Sequence, residues 1–196
     1  MKQYSKVFKS IRNLPPGFYS QLDQNAQCLF LKKGDLIKTV GQDSHRLLFI
    51  EKGIVRGYLR EYHETYWFKK ENNFIFLIQE NDKQLGLEIL EDGILWEFTG
   101  SSVTRIEREF PSFTFHLMYL LAEETTGIQQ MTPLERRKDP VLFYDYLRQE
   151  SQDLCTGVSP AHLASLIGVS EKEFAHLNKS DLHIPMTFAR RRPRKK

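Results

Sequence analysis

Residues 31 to 56 read LKKGDLIKTVGQDSHRLLFIEKGIVR, and the architecture of the first half of the chain follows from this segment. Short apolar runs alternate in it with turn signals at residues 33–35, 41–44 and 51–53. Glycine accepts the positive φ of tight turns, so each of these signals marks a strand boundary. Such regular short spacing predicts an antiparallel barrel or sandwich over residues 26 to 99 rather than a sheet of alternating strands and helices.

The middle of the chain has a different pattern. From Ser102 to Met131 glycine is rare, and apolar residues recur every three or four positions, which is typical of an amphipathic helix. These residues are Phe110, Phe113, Leu117, Leu120, Leu121 and Ile128. Such a stripe can pack on its own domain or against a second copy of the chain, and we favour the second copy.

The last third of the chain contains three helix starts of the same chemistry. Thr132 to Glu135 and Ser170 to Glu173 are capping boxes, and Ser159-Pro160 combines a capping serine with a proline in the first turn. Gly157 and Gly168 lie in the connections. Three short, sharply bounded helices predict a small helical domain at this end of the chain.

The segment from Ser159 to Lys179 has the spacing of a helix-turn-helix. Ala164 permits a close helix crossing, Gly168 permits a tight turn, and Phe174 and Leu177 anchor the second helix on the first. A purely structural hairpin is the alternative. With the anchors turned inward, the second helix exposes a set of polar residues that we take as candidate contacts to DNA phosphates and base edges. They are Glu171, Lys172, His176 and Lys179, with Ser170 at the start of the helix.

The charge of the chain is concentrated at its end. Lysine and arginine number 28 and acidic residues 25, and six of the basic residues lie within the last seven positions. Without those six, residues 1–189 carry 22 basic and 25 acidic side chains. The tail is either a solvated end or an arm that contacts phosphates. Its candidate DNA contacts are Arg190, Arg191, Arg192 and Arg194.

Several function classes lack their sequence signatures. No apolar run approaches the roughly 18 residues of a membrane helix, and the first residues do not resemble a secretory leader, so we expect a cytoplasmic protein. Cys28 and Cys155 are 127 positions apart and are interpreted as buried small side chains. The six histidines form no pair with metal-ligand spacing. With no nucleophile or phosphate-loop motif either, we expect no catalytic residues, metal or cofactor.

The order of these parts resembles the Crp/Fnr family of bacterial transcription regulators over nearly the whole chain. Residues 31–37, Gly41 and residues 47–56 are similar to the strands that open that family's barrel, and residues 64–68 and 90–93 continue the likeness. The form is most like the orphan regulators of Bacteroidetes. The resemblance implies an α+β chain with an N-terminal antiparallel jelly-roll barrel of the cyclic-nucleotide-binding type, a long dimerisation helix and a C-terminal helix-turn-helix.

The resemblance places the domain boundaries and the partners. The barrel is expected over 1–107, the dimerisation helix over 108–131, the helix-turn-helix domain over 132–180 and the basic tail over 181–196. The expected partners are double-stranded DNA and a second copy of the chain, with an unknown small effector and RNA polymerase as candidates.

The chain departs from the family at two sites. Cyclic-nucleotide-binding members use an arginine to neutralise the cyclic phosphate, whereas residues 74–90 contain none, so we expect no binding of cyclic AMP. Where members usually carry Ser-Arg on the recognition helix, this chain has Ala175-His176. Without a cyclic nucleotide, the interior of the barrel is open to an apolar ligand. The alternative is that its aromatic residues are plain core. The candidate ligand contacts are Trp67, Phe74, Phe76, Leu77, Gly86 and Glu88.

Three functions follow, in order of preference. The first is a homodimeric DNA-binding transcription regulator whose barrel senses an unknown effector or has lost sensing. The second is a ligand-binding or protein-interaction module with a helix-turn-helix that no longer binds DNA. A small barrel enzyme of the cupin type is a distant third.

Overall fold

Eight antiparallel strands form two four-stranded sheets in the computed structural model, which describes residues 15–38, 45–78, 84–124 and 133–179. The strands are β1 Gln27–Leu31, β2 Leu36–Ile37, β3 His45–Lys52, β4 Ile54–Leu59, β5 Glu64–Lys70, β6 Phe74–Ile78, β7 Leu85–Ile89 and β8 Gly93–Phe98. Sheet A has the order β1-β8-β3-β6 and sheet B the order β2-β7-β4-β5. Two facing sheets with this connectivity make a jelly roll, which confirms the antiparallel barrel or sandwich predicted from the turns and the jelly roll that the family resemblance implies.

Helices flank the sandwich on both sides. One precedes the strands, α1 Phe18–Asn25, and two follow them, α2 Gly100–Glu109 and α3 Ser112–Glu124. The remaining described helices belong to the C-terminal part of the chain: α4 Pro133–Lys138, α5 Pro140–Glu150, α6 Gln152–Gly157, α7 Pro160–Ile167 and α8 Glu171–Lys179. Proline in the first turn of α5 and α7 and the side-chain caps Asp139 and Ser159 begin these two helices.

Aliphatic side chains occupy the space between the two sheets. Strand alternation turns every second residue inward, and both sheets contribute to one buried cluster. Its members are Ile37, Leu48, Ile50, Val55, Ile75, Leu77, Leu87, Ile89 and Leu95. The interior of the barrel is therefore a packed aliphatic core.

The outer face of sheet A is covered by α1, α2 and α3. Phe49, Phe74 and Phe98 of the sheet pack with Phe18 of α1 and Phe113 of α3 in a second buried cluster. Aromatic pairs fill much of this cluster; the rings of Phe49 and Phe74, for example, lie 4.9 Å apart. This face is therefore closed by helices from both ends of the barrel sequence.

The outer face of sheet B is covered by the C-terminal helices. Ile54, Phe68 and Leu90 of the barrel share one buried cluster with side chains of α5 to α8, including Phe143 and Phe174. Because they share an apolar core, the barrel and the helical domain pack directly against each other.

The segment expected to form one dimerisation helix from residue 108 differs from that expectation. Residues 108 and 109 end α2, the chain turns at Phe110 and Pro111, and α3 begins at Ser112. Proline restricts the residue before it to extended conformations, so the helix cannot run through this point. The later part of the segment, residues 125–131, lies outside the described residues.

The apolar stripe of that segment also faces another way than expected. Phe110, Phe113 and Leu117 pack on the barrel side, in the cluster beneath sheet A. The strongly exposed apolar side chains of α3 are Phe115, Met118 and Tyr119. Spacing alone could not separate these two faces, because both carry large apolar residues. The side chains of Leu120 and Leu121, and Ile128, are outside the described part.

Candidate nucleic-acid interface

The turn between α7 and α8 is built by glycine. Gly168 has φ +83° and donates its N–H to the carbonyl of Ala164 at 2.9 Å, which ends α7. A Cβ at this position would lie 2.5 Å from Cγ of Arg137. Both the backbone conformation and the packing therefore call for glycine, and the turn places α8 directly after α7.

A complete capping box begins α8. The Ser170 backbone N–H and hydroxyl both donate to Oε2 of Glu173 at 2.8 Å, and the Glu173 N–H donates to the Ser170 hydroxyl at 3.3 Å. These hydrogen bonds hold the pKa of Glu173 below its usual value. The Glu173 carboxylate and the Ser170 hydroxyl are thus engaged with the helix start, so we place their role in capping and not in base contact.

The outer face of α8 carries the predicted polar stripe. Phe174 is buried, Leu177 is half-buried, and Glu171, Lys172, His176 and Lys179 are all exposed. Positions 172, 176 and 179 are four and three residues apart, so they share one face of the helix. The structure brings these three candidate side chains together on one accessible surface.

An open groove of about 540 Å³ lies between Tyr62 of the β4–β5 turn and the residues Gly168 and Val169 that lead into α8. The groove opens to solvent beside the residues that precede α8.

Helix α5 supports α8 from behind. The ring of Tyr144 packs edge-on against Phe174, with centroids 5.1 Å apart, and its hydroxyl donates to Oδ1 of Asn178 at 2.7 Å. Burial raises the pKa of the Tyr144 hydroxyl above its usual value. One aromatic side chain thus holds both the start and the end of α8 in place.

Helices α4, α6 and α7 make polar contacts with strand β5 of the barrel. The Ser165 hydroxyl accepts a hydrogen bond from the Thr65 N–H at 2.9 Å, and the guanidinium of Arg136 donates to the Tyr66 carbonyl at 2.8 Å. Arg137 pairs with Glu64 at 2.8 Å, and Lys70 forms a further ion pair with Asp153. Polar contacts thus surround the apolar cluster that the two domains share.

The candidate ligand contacts do not form one site. Leu77 and Trp67 belong to the core between the sheets, whereas Phe74 and Phe76 belong to the cluster under α1 to α3. These four residues therefore lie on opposite faces of sheet A or on sheet B. A set defined only by its aromatic content could not reveal which face each residue would take.

Gly86 and Glu88 point to the outer face of sheet B. Glu88 pairs with Arg56 at 2.8 Å, and a Cβ on Gly86 would lie 2.3 Å from the ring of Tyr58. Arg56 also donates to the Thr65 hydroxyl at 2.8 Å. These two residues therefore belong to the contact region of the helical domain and not to the interior of the barrel.

The remaining candidates can be placed briefly. Arg190, Arg191, Arg192 and Arg194 lie outside the described residues. Cys28 and Cys155 are free and only half-buried, which is more exposure than a core position gives. In the described part of the chain, no group of three metal-binding side chains occurs, and no helix has the length and apolar character needed to span a membrane.

Sequence reasoning missed Arg136 and Ser165. Arg136 is only 1% exposed, and burial lowers the pKa of its guanidinium. It lies in the run Glu135-Arg136-Arg137-Lys138, which reads as an ordinary solvated helix start. A basic run gives no sign of which member will be buried, so no sequence signal could have identified Arg136.

No family model and no curated protein matches this chain. Solved structures do match its fold. One match is a protein from Eubacterium rectale assigned to the Crp/Fnr family of transcriptional regulators. It is 16% identical, with a TM-score of 0.66, and the match covers 90% of this chain and 86% of that protein. A CooA variant from Carboxydothermus hydrogenoformans is 15% identical, with 88% and 81% covered and a TM-score of 0.63.

The c-di-GMP responsive global regulator CLP of Xanthomonas campestris is a further structural match. It is 12% identical, covers 84% of this chain with 90% of its own, and has a TM-score of 0.57. Matches that span barrel and helices together show that the whole described chain has the fold of these regulators.

Proposed function

We propose that this chain, which has the fold of the Crp/Fnr regulators, is a homodimeric DNA-binding transcription regulator. The observation that carries the proposal is the stripe of Lys172, His176 and Lys179 on the exposed face of α8. A helix held from behind on a rigid body and exposing cationic and hydrogen-bonding side chains suits the major groove of DNA. The carboxylate of Glu173 accepts hydrogen bonds from Ser170 in the helix cap.

Each side chain of the stripe has a proposed role. Lys172 and Lys179 lie at the two ends of the exposed face, where they would contact phosphates on either side of the groove. His176 lies between them and would reach a base edge through a ring nitrogen. Glu171 remains a candidate acceptor for the amino group of cytosine.

A second copy of the chain is proposed to cover α3. Phe115 is 73% exposed and Met118 is 61% exposed, and Tyr119 adjoins them on the same helix. Large apolar side chains clustered in this way mark interaction surfaces in soluble proteins. A dimer would present two α8 helices, and palindromic sites require two recognition helices related by a two-fold axis.

The barrel is proposed not to respond to cyclic AMP. A cyclic phosphate needs a bidentate cation when it leaves water, and residues 74–90 contain no arginine. The packed aliphatic cluster between the sheets also supports this proposal. An effector of another kind, and RNA polymerase as a partner, stay proposals without a site of their own.

The proposal is tested by duplex binding in a salt series. Binding of a random duplex pool should weaken linearly with the logarithm of salt concentration, because each phosphate contact releases counterions. The double variant Lys172→Gln/Lys179→Gln should lower the slope by about one unit for each lysine that contacts a phosphate.

A matched control separates this effect from net charge. Arg105 and Arg108 are exposed on α2, on the opposite side of the sandwich from α8. Arg105→Gln/Arg108→Gln removes the same charge and should leave the slope near that of the wild type. If the wild type binds no duplex at low salt, the regulator proposal fails and the protein-interaction module replaces it.

A further inference from the structure

Strand β5 contains a bulge at the point where the helical domain meets it. Gly57 pairs with Trp67 and Tyr58 pairs with Thr65, so Tyr66 is an extra residue with no partner on β4. In the described sheet β5 is also the last strand, since it pairs with β4 alone. A bulged edge strand leaves backbone groups that need hydrogen-bond partners from outside the sheet.

The helical domain supplies those partners. Arg136 donates through Nη1 to the Tyr66 carbonyl at 2.8 Å and, more weakly, to the Leu166 carbonyl at 3.4 Å. One buried guanidinium thus joins the bulge to the end of α7. Ser165, in the preceding turn of α7, receives the Thr65 N–H. Three consecutive residues of β5 are therefore matched to α4 and α7, because Glu64 pairs with Arg137.

This match determines orientation as well as attachment. An apolar cluster alone permits sliding, since dispersion contacts are not directional, whereas hydrogen bonds to two backbone groups of one strand permit a single register. The bulge also makes that register unique, because β5 has only one residue without a partner on β4. Arg136 packs against the ring of Phe143 as well, at 5.3 Å, which links it to α5 and so to the support of α8.

We propose that Arg136 is a positioning residue that specifies the spacing between the two DNA half-sites. This inference rests on the proposed function. In the proposed dimer the two copies meet through α3, which lies on the sheet A side. Helix α8 packs on the sheet B side. The distance between the two α8 helices then depends on how each helical domain is seated on its own barrel. The contact of Arg136 with the bulge fixes the position of the helical domain on the barrel.

The test uses a palindromic duplex selected by the wild-type protein from a random pool. Duplexes are then made with one base pair removed, or with one or two base pairs added, between the half-sites. Each added pair rotates one half-site by about 35° relative to the other, since a turn has about 10 to 10.5 base pairs. The wild type should lose about tenfold in affinity at one added pair.

The variant Arg136→Met keeps an unbranched side chain and removes the guanidinium donors. It should bind all the spacings within about threefold of one another, while its salt slope and its preference within each half-site stay those of the wild type. Lys138→Met is the matched control, because Lys138 lies on the same helix and its side chain is exposed. That control should keep the wild-type spacing preference.

A milder variant covers the case in which Arg136→Met does not fold. Ser165→Ala removes one hydrogen bond of the same contact and should flatten the spacing profile in the same direction by a smaller factor. Folded Arg136→Met, or Ser165→Ala where the first variant does not fold, with an unchanged spacing profile would overturn the inference and leave the proposed function intact. A wild-type protein that binds no duplex would overturn both.

Discussion

His162 shows how single residues at the domain contact respond to their surroundings. It lies half-buried on α7, over the outer face of sheet B. Burial lowers the pKa of its imidazole, and the positive charges of Arg56 and Lys33 lower it further, while Glu88 raises it. The packed state therefore favours the neutral imidazole at this position.

The sign of the resulting pH dependence follows from proton binding. Below about pH 6.5 an unfolded histidine is protonated, whereas His162 in the folded chain resists protonation, so the unfolded state binds more protons. The stability that His162 contributes is present above about pH 6.5 and is lost as the pH falls from there towards the lower pKa of the folded state. We predict a lower urea midpoint at about pH 6 than at about pH 8.

The variant His162→Gln should reduce that difference, because it removes the titrating group. His176→Gln is the matched control, since His176 is exposed on α8. An equal pH dependence in the wild type and in His162→Gln would show that His162 does not report on the domain contact.

The recognition of strands from sequence depended on which residue makes the turn. Turn signals containing glycine predict the boundaries of most strands, but they do not place β5 and β6. The turns that bound them use His63 at φ +52° and Asn72 at φ +68° in place of glycine. Histidine and asparagine enter this region more readily than most residues but less readily than glycine, so turns without glycine are harder to recognise from sequence.

Helix α3 leads to a prediction about assembly. Phe115 and Met118 are exposed and Phe113 is buried, so charge at the first two positions should not disturb the core. We predict that Phe115→Glu/Met118→Glu is a folded monomer of 23.1 kDa by light scattering, whereas the wild type has twice that mass.

The control for this prediction is Thr104→Glu/Arg105→Glu, which adds two acidic residues at exposed positions of α2. It should stay dimeric. A dimer that survives the α3 substitutions would place the interface on another part of the chain.

At the scale of the whole molecule, the helical domain and the barrel share a core. Phe68 and Leu90 of the barrel are buried in the same cluster as Leu163 and Ile167 of α7. The two parts should therefore unfold together in urea. Trp67 and Trp96, the two tryptophans of the chain, report on the barrel by fluorescence, and the reactivity of the Cys155 thiol reports on the helical domain.

We predict coincident transitions for these probes in a Cys28→Ser background, where Cys155 is the single thiol. Burial raises the pKa of the Cys155 thiol, so unfolding should increase its labelling rate. Phe68→Ala should lower both transitions together by about 3 to 5 kcal/mol. Separate transitions, or a shift of the fluorescence alone, would contradict a shared core.

The sequence could predict the layers of the molecule but not how they are joined. Gly168, the Ser159-Pro160 start of α7 and the Ser170–Glu173 capping box of α8 define these two helices through local chemistry that acts within a few residues. The seat of α7 on β5 depends on Arg136 and Ser165, which lie about 70 and 100 residues from Tyr66 and Thr65 along the chain. Contacts at that separation leave no spacing pattern. The ligand candidates failed to form one site for a related reason, since their faces depend on strand register.

Hydroxyl-radical footprinting on a duplex selected by the wild-type protein tests the central claim most directly, namely that a dimer presents two α8 helices to one face of DNA. The account predicts two protected segments about one helical turn apart, related by a palindrome. Lys172→Gln/Lys179→Gln should weaken protection in both segments equally. Two results would contradict the claim. One is a single continuous protected stretch without sequence preference, and the other is no protection at protein concentrations that saturate binding to the duplex.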